Sequence, residues 1–234
     1  MSKQELTGVA ERYERRKAGV AADLYSPISP AVFMAHQELE RALIRWIHAT
    51  ALAPLRERTL LEIGCGSGGN LLQLIGLGFR PANLMGNELL EERAVHARER
   101  LPAATRLAIG DASSLELGAE RFDVVFQSTV FSSILDEEFQ ARLARRMWGL
   151  VKPGGQVLWY DFTYDNPRNP DVRGVPVDRV RALFPNGELS VRRLTLAPPI
   201  ARPLAGIHPS LYTLANLLPW LRTHVLCWIR KPSD

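Results

Sequence analysis

Four glycines fall within six residues at Gly64, Gly66, Gly68 and Gly69, just behind the carboxylate Glu62. Glycine at that density lets the backbone turn sharply and approach a ligand with no Cβ in the way. Further groups capable of chemistry follow at Glu88, Asp111, Asp161 and His208. Glu88 lies twenty residues beyond Gly68, and a carboxylate can accept two hydrogen bonds at once. Gly64, Gly66 and Gly69 also satisfy the dinucleotide spacing G-x-G-x-x-G, so a nicotinamide cofactor stands as one reading of the loop.

These groups need elements to hold them. Thr59–Ile63 reads as a short buried strand, and the glycines open a helix running through Gly76. Strand and helix then alternate: strands at 83–87, 105–109, 122–126 and 156–162, helices at 91–101 and 136–150. Such alternation argues a parallel sheet covered on both faces. Upstream, residues 1–19 are polar, Tyr25–Pro30 is a proline-punctuated turn, and an apolar stripe from Ala31 predicts a helix to about Ala53, ended by Pro54. Downstream, a Pro/Asn-rich loop at 163–177 leads to a short helix at 180–184 and to strands at 189–196 and 225–230. Between those strands the apolar run Pro209–Leu221 reads as a buried helix over a substrate pocket, or else as an interfacial surface for a membrane or a second copy.

The segment L-L-E-I-G-C-G-S-G-G-N (60–70) resembles motif I of class I S-adenosylmethionine-dependent methyltransferases, which place an acidic residue where Glu62 stands. A carboxylate there favours the cofactor's ammonium group, whereas it would repel the pyrophosphate of a dinucleotide. Glu88 and Leu89 match the family's ribose and adenine positions, and Gly110-Asp111-Ala112 its adenine-amino motif. Phe122-Asp123-Val124-Val125 resembles the start of its fourth strand, Leu150–Gly155 its L-x-P-G-G turn, and the last two strands its terminal hairpin. The resemblance covers about residues 55–231. It implies a Rossmann-like three-layer α/β sandwich with a seven-stranded, mostly parallel sheet, an antiparallel last strand and a helical N-terminal lid. The expected organisation is a lid over 1–54 and a catalytic domain over 55–234, with an insertion at about 197–222. The implied cofactor is S-adenosyl-L-methionine, held by Glu62, Gly64, Cys65, Gly66, Gly68, Glu88, Leu89, Asp111, Ala112 and Gln127, with Tyr25 lining the pocket from the lid.

Methyl transfer is an in-line displacement in which the protein aligns the acceptor and excludes water. A hydroxyl acceptor also calls for a base. Asp161, at the carboxyl end of its strand, is the first candidate, and His208 in the insertion the second; capping and solvated roles compete with both. His36 lies on the apolar helix stripe. Gln127-Ser128 stands where metal-dependent relatives carry an aspartate, and no Cys/His cluster suggests zinc, so no metal is expected. The N/D-P-P-Y sequence of enzymes that methylate nucleic-acid amines is missing, so no nucleic acid is expected either. The Y-D-F…N-P-R-N-P stretch (160–170) is similar to methyltransferases that accompany bacterial polysaccharide assembly, which implies a small-molecule or glycan-type hydroxyl acceptor. A non-catalytic cofactor-binding subunit or membrane-associated scaffold, and an NAD(P)-dependent reductase, are the competing classes.

Composition bounds the rest. Hydrophobic residues make up 46% of the 234 and charged residues 23%, the balance of an ordinary folded domain, which excludes disordered and fibrous classes. Cys65 and Cys227 cannot staple a chain of this length. The start of the chain has no apolar signal segment, and no long apolar stretch is free of charge or proline, so a cytoplasmic location is expected. Charge is unevenly placed. Residues 168–234 carry ten Arg or Lys against four Asp or Glu, a net +6, while the remainder carries nineteen against twenty-one, a net −2. That asymmetry suits an anionic acceptor or partner.

Overall fold

All four residues of β1 (Leu60–Ile63) are buried, the mark of a central parallel strand covered on both faces. The computed structural model describes residues 2–19, 26–119, 121–167 and 169–233. Tyr25, expected in the pocket, lies outside the described residues. The other strands are β2 (Leu84–Glu88), β3 (Arg106–Ile109), β4 (Phe122–Ser128), β5 (Val151–Phe162), β6 (Glu188–Leu196) and β7 (Arg222–Arg230), in spatial order β3-β2-β1-β4-β5-β7-β6. β1 to β5 run parallel, and β7 lies antiparallel between β5 and β6. The order reverses between β1 and β4, which opens a crevice at their carboxyl ends where ligands bind in open α/β sheets.

Two apolar layers hold the sheet. On one face α2 (Pro30–Ala49), α3 (Gly69–Gly76) and α4 (Glu91–Arg100) bury Leu43, Trp46, Leu71, Leu74 and Ala97 against Leu60, Val124, Phe126 and Leu158. On the other, α5 (Glu137–Leu150) and α6 (Val177–Leu183) bury Leu143, Met147 and Val180 against Leu61, Ile63, Val125 and Trp159. The Trp46 indole N–H donates to Gln156 Oε1 at 3.0 Å, so the buried pair leaves neither partner unpaired. α2 ends at Ala49, earlier than Pro54 suggests, because Ala51 takes a left-handed φ of 49° and Leu52 N–H turns back to Ile47 O.

β5 begins at Val151, earlier than its apolar run. Its register with β4 shifts between Phe122 and Val124, so Lys152–Gly155 forms an irregularity inside the pairing. Asp123 fastens this edge, its Oδ2 accepting from Thr59 N–H at 2.8 Å, Thr59 Oγ1 at 2.7 Å and Lys152 Nζ at 3.0 Å.

Of the two readings of Pro209–Leu221, a buried helix or an interfacial surface, the first is not found. The insertion folds as α7 (Pro198–Ile207) and α8 (Pro209–Ala215), with α7 tolerating Pro203 in its interior. Tyr212 is the one residue of α8 that is buried, and its hydroxyl donates to Glu38 Oε2 on α2 at 3.1 Å. The same oxygen accepts Thr195 N–H at 3.0 Å, tying insertion, β6 and α2 together. Leu214, Leu217 and Trp220 are instead exposed. Apolar composition had suggested burial, but the α2 face that receives this segment is filled by Ala31, Met34, Leu196, Ala201, Ala205 and Tyr212, with Ile200, Leu204, Ala215 and Leu221 packed at its edge.

Candidate functional site

The glycine loop sits at the mouth of the crevice. Gly64, Gly66 and Gly68 take φ of 65°, 58° and 81°, left-handed values that cost a side chain-bearing residue about 1 kcal/mol or more. Space adds a second constraint at Gly64, where a Cβ would come within 2.5 Å of Val130 Cγ2. Gly69 meets nothing and has no such φ, so it is simply the first residue of α3.

Glu88 closes the loop from β2. Its Oε2 accepts Gly66 N–H at 2.8 Å and its Oε1 accepts Leu90 N–H at 2.9 Å. Cys65 N–H donates to Asn87 O at 2.8 Å, joining the loop to the same strand, and burial pushes the Cys65 thiol far above its usual range. Glu62 is fully buried. Its Oε1 accepts from Asn70 Nδ2 at 2.6 Å, while Oε2 has no hydrogen-bond partner. Burial, reinforced by the charge of Glu88, pushes its carboxyl up to about 8.

A cavity of about 70 Å³ lies against the loop at Gly64, with Glu62, Cys65, Gly66 and Gly68 behind its lining. Gly64, Glu88, Leu89, Asp111 and Ala112 line it, together with Asn87, Arg93 and Gly110. Its far wall is apolar and comes from Val130, Ile134, Phe139 and Leu143. Asp111 also caps its own loop, accepting from Ser113 N–H and Ser113 Oγ, both at 2.8 Å. Gln127 is not part of the lining. Both ends of its amide are engaged, with Oε1 accepting Val130 N–H at 3.0 Å and Nε2 donating to Tyr160 O at 3.4 Å. It shapes the turn that brings Val130 against Gly64.

The outer wall is α1 (Ser2–Gly19), through Leu6, Val9 and Tyr13. The Arg93 guanidinium stacks on the Tyr13 ring, 4.8 Å from its centre. Arg12 Nη2 reaches Glu5 Oε1 at 2.6 Å and Ser133 O at 3.1 Å, and Glu5 accepts Leu135 N–H at 2.9 Å. The sequence implied an N-terminal lid over 1–54 but named none of these side chains, nor Asn87 and Arg93. The placement of Arg93 one turn into α4, after Glu88, was the one available signal.

The two base candidates lie elsewhere. Asp161 is fully buried and does not line the cavity, its oxygens taken by Ser132 N–H at 3.1 Å and Phe162 N–H at 3.0 Å. Burial pushes its carboxyl up to about 7. A carboxyl with no exposed surface, filled by backbone donors, braces the turn after β4 rather than meeting an acceptor. His208 caps α8, its Nδ1 accepting Ser210 N–H at 3.1 Å, and is exposed away from the cavity. His36 is exposed as well.

Residues 60–155, spanning β1 to the turn within β5, match the family model of a methyltransferase domain. The matched segment is a methyltransferase domain. No curated protein matches the chain. Solved structures share its fold. An S-adenosylmethionine-dependent methyltransferase from Mesorhizobium loti is 17% identical, with a TM-score of 0.60 over 82% of this chain and 100% of that one. A putative methyltransferase from Haloferax volcanii, solved with the activator Trm112, is 18% identical, with a TM-score of 0.62 over 90% and 97%. Phosphoethanolamine N-methyltransferase 2 of Haemonchus contortus, solved with S-adenosylmethionine, is 16% identical, with a TM-score of 0.60 over 92% and 61%.

The residues of this methyltransferase fit that cofactor. A Cβ on Gly64, Gly66 or Gly68 would strike Val130, Arg93 or Leu101, so the turn keeps its shape only as glycine. The unpartnered buried oxygen of Glu62 lies behind that turn, and an ammonium group reaching it would favour its charged form. Glu88 and Asp111 present carboxylates to the same cavity.

Proposed function

We propose that this methyltransferase acts on a small-molecule or glycan-type acceptor at a hydroxyl oxygen, by direct in-line displacement. The observation that carries the reading is the cavity itself. It is polar where Glu88 and Asp111 stand, apolar where Val130, Ile134 and Phe139 stand, and covered by α1. S-adenosylmethionine supplies an electrophilic methyl group when bound. In the proposed site Glu62, Gly64, Cys65, Gly66 and Gly68 hold its amino-acid end, and Glu88, Leu89, Asp111 and Ala112 its nucleoside end. Gln127 and Asp161 act as positioning residues through the turn at Thr129–Ser133. Helix α1 serves as the lid that excludes water, which strengthens every electrostatic contact inside.

The net +6 of residues 168–234 supports an acceptor that carries phosphate or carboxylate. The test is a screen of glycan precursors and anionic metabolites with methyl-labelled cofactor, resolving the methylated atom by mass spectrometry. Label on a hydroxyl of a sugar or small molecule supports the reading. Label confined to nitrogen, or to protein and nucleic acid, overturns it.

A further inference from the structure

From Pro203 to Leu221 the chain carries no Asp, Glu, Lys or Arg. That absence would suit a core segment, yet this one lies on the surface. Ile207 is 75% exposed, Leu217 67% and Trp220 71%. Ile28, just ahead of α2, is exposed too, and its neighbour Ala31 packs in the cluster that seats α7 and α8. Large apolar side chains gathered on one surface mark an interaction site rather than ordinary exposure.

Along the chain around this surface the charge is of one sign, the nearby Glu38 of α2 being buried beneath Tyr212. Residues 189–233 contain no acidic residue, while Arg192, Arg193, Arg202, Arg222, Arg230 and Lys231 are all basic. Arg192 lies in the field of Arg45 and Arg222; partial burial and these two neighbours lower its pKa from the ordinary value. Arg222 is fixed beside the patch, its guanidinium donating to Asn216 O and to Arg193 O. Among the described residues no helix is long and apolar enough to cross a membrane. Leucine and tryptophan on one surface, flanked by arginines and too short to span, have the chemistry of a segment that lies in the headgroup region of a bilayer.

We propose that the 207–220 surface docks this enzyme on an anionic lipid bilayer, with Leu214, Leu217 and Trp220 entering the interface and Arg202 and Arg222 meeting acidic headgroups. A second copy of the chain would bring the same unbalanced positive charge against itself, with no carboxylate in 189–233 to neutralise it. Lipid phosphates neutralise it directly. The inference does not depend on which acceptor is methylated, and its test reads binding rather than turnover.

The full-length chain is floated with vesicles of phosphatidylcholine alone or mixed with phosphatidylglycerol. Recovery with the mixed vesicles, little with the neutral ones, and loss at about 1 M salt, where the screening length falls to about 3 Å, are expected. Tryptophan emission should shift to the blue on binding, and Trp220→Leu should remove most of that shift, since Trp220 is exposed while Trp46 and Trp159 are fully buried and Trp148 and Trp228 partly so. The double variant Leu217→Ser/Trp220→Ser should lose vesicle binding by about tenfold or more, with circular dichroism and cofactor affinity unchanged. No flotation with either vesicle overturns the proposal. So does equal, salt-insensitive binding to neutral vesicles. A wild-type dimer that the double variant converts to monomer, without lipid binding, would assign the surface to a second copy instead.

Discussion

Glu88 Oε2 accepts the backbone N–H of Gly66 at 2.8 Å, so the carboxylate proposed to receive the ribose also holds the glycine loop in place. Its other oxygen is engaged by Leu90 N–H. Two roles for one group predict a two-part loss. Glu88→Ala should weaken S-adenosylmethionine binding by about 1–3 kcal/mol through lost charge-assisted hydrogen bonds, and should also lower the melting temperature of the cofactor-free protein. Calorimetry with both proteins checks it. Unchanged affinity would move the ribose site elsewhere, and an unchanged melting temperature would show that the loop holds its shape without Glu88.

The glycines differ in what they tolerate. Gly64→Ala places a Cβ 2.5 Å from Val130 Cγ2 at a φ of 65°, so overlap and strain act together. It should destabilise by about 1–3 kcal/mol and reduce cofactor affinity. Val130→Ala in the same chain should recover the overlap part but not the backbone part. Gly69→Ala has neither problem and should stabilise by about 0.4–1 kcal/mol. Urea titrations of the three variants and the wild type decide it; equal losses at Gly64 and Gly69 would mean that loop conformation is not what selects glycine.

The glycine loop and its facing carboxylate were legible in the sequence because the conformation there is set locally. A strand, three left-handed glycines and a carboxylate twenty residues on are a short-range pattern. The wall formed by α1 is of another kind. Arg12 meets Ser133, and Glu5 meets Leu135, across more than a hundred residues, and nothing local in a polar helix announces such partners. Asp161 misleads for the opposite reason. The carboxyl end of a strand is where ligand-binding groups stand, but its side chain turns under the Ser132 backbone instead of into the cavity. The apolar run at 209–221 shows the limit of composition. It reports that water is unfavourable there, not what replaces water.

Helix α1 offers a prediction about kinetics. Arg12 is one of its polar tethers, holding Glu5 within the helix and Ser133 O across the cavity, beside the Glu5–Leu135 and Arg15–Asp171 contacts. Arg12→Ala should loosen the helix over the cavity and leave the glycine loop and Glu88 untouched. Stopped-flow measurement should then show faster cofactor release, by about tenfold if the lost tether is worth about 1.4 kcal/mol, with a smaller effect on association. Tyr13→Ala removes the ring under Arg93 and should act in the same direction. Release rates equal to the wild type in both variants would deny α1 a lid function.

The buried ionisable groups predict a pH dependence of stability with a definite sign. Burial raises the Glu62 carboxyl to about 8 and the Asp161 carboxyl to about 7. Both therefore bind protons more readily folded than unfolded. The stability they contribute is complete below the ordinary carboxyl range and is lost as pH rises through about 7 and then about 8. His224 is the reverse case. Burial lowers it to about 4, so its contribution is complete above the ordinary histidine range and is lost as pH falls through about 4. The cofactor-free protein should melt highest at mildly acidic pH, between these two limbs. On the alkaline limb the melting temperature should fall by several degrees, since a domain of this size shifts about 2–4 °C per kcal/mol. Glu62→Gln keeps a neutral side chain at every pH and should flatten that limb, leaving the smaller decline due to Asp161. Saturating S-adenosylmethionine should flatten it as well, because an ammonium beside Glu62 Oε2 favours the carboxylate that burial opposes. A cofactor that raises the melting temperature equally at all pH values would place its ammonium group away from Glu62.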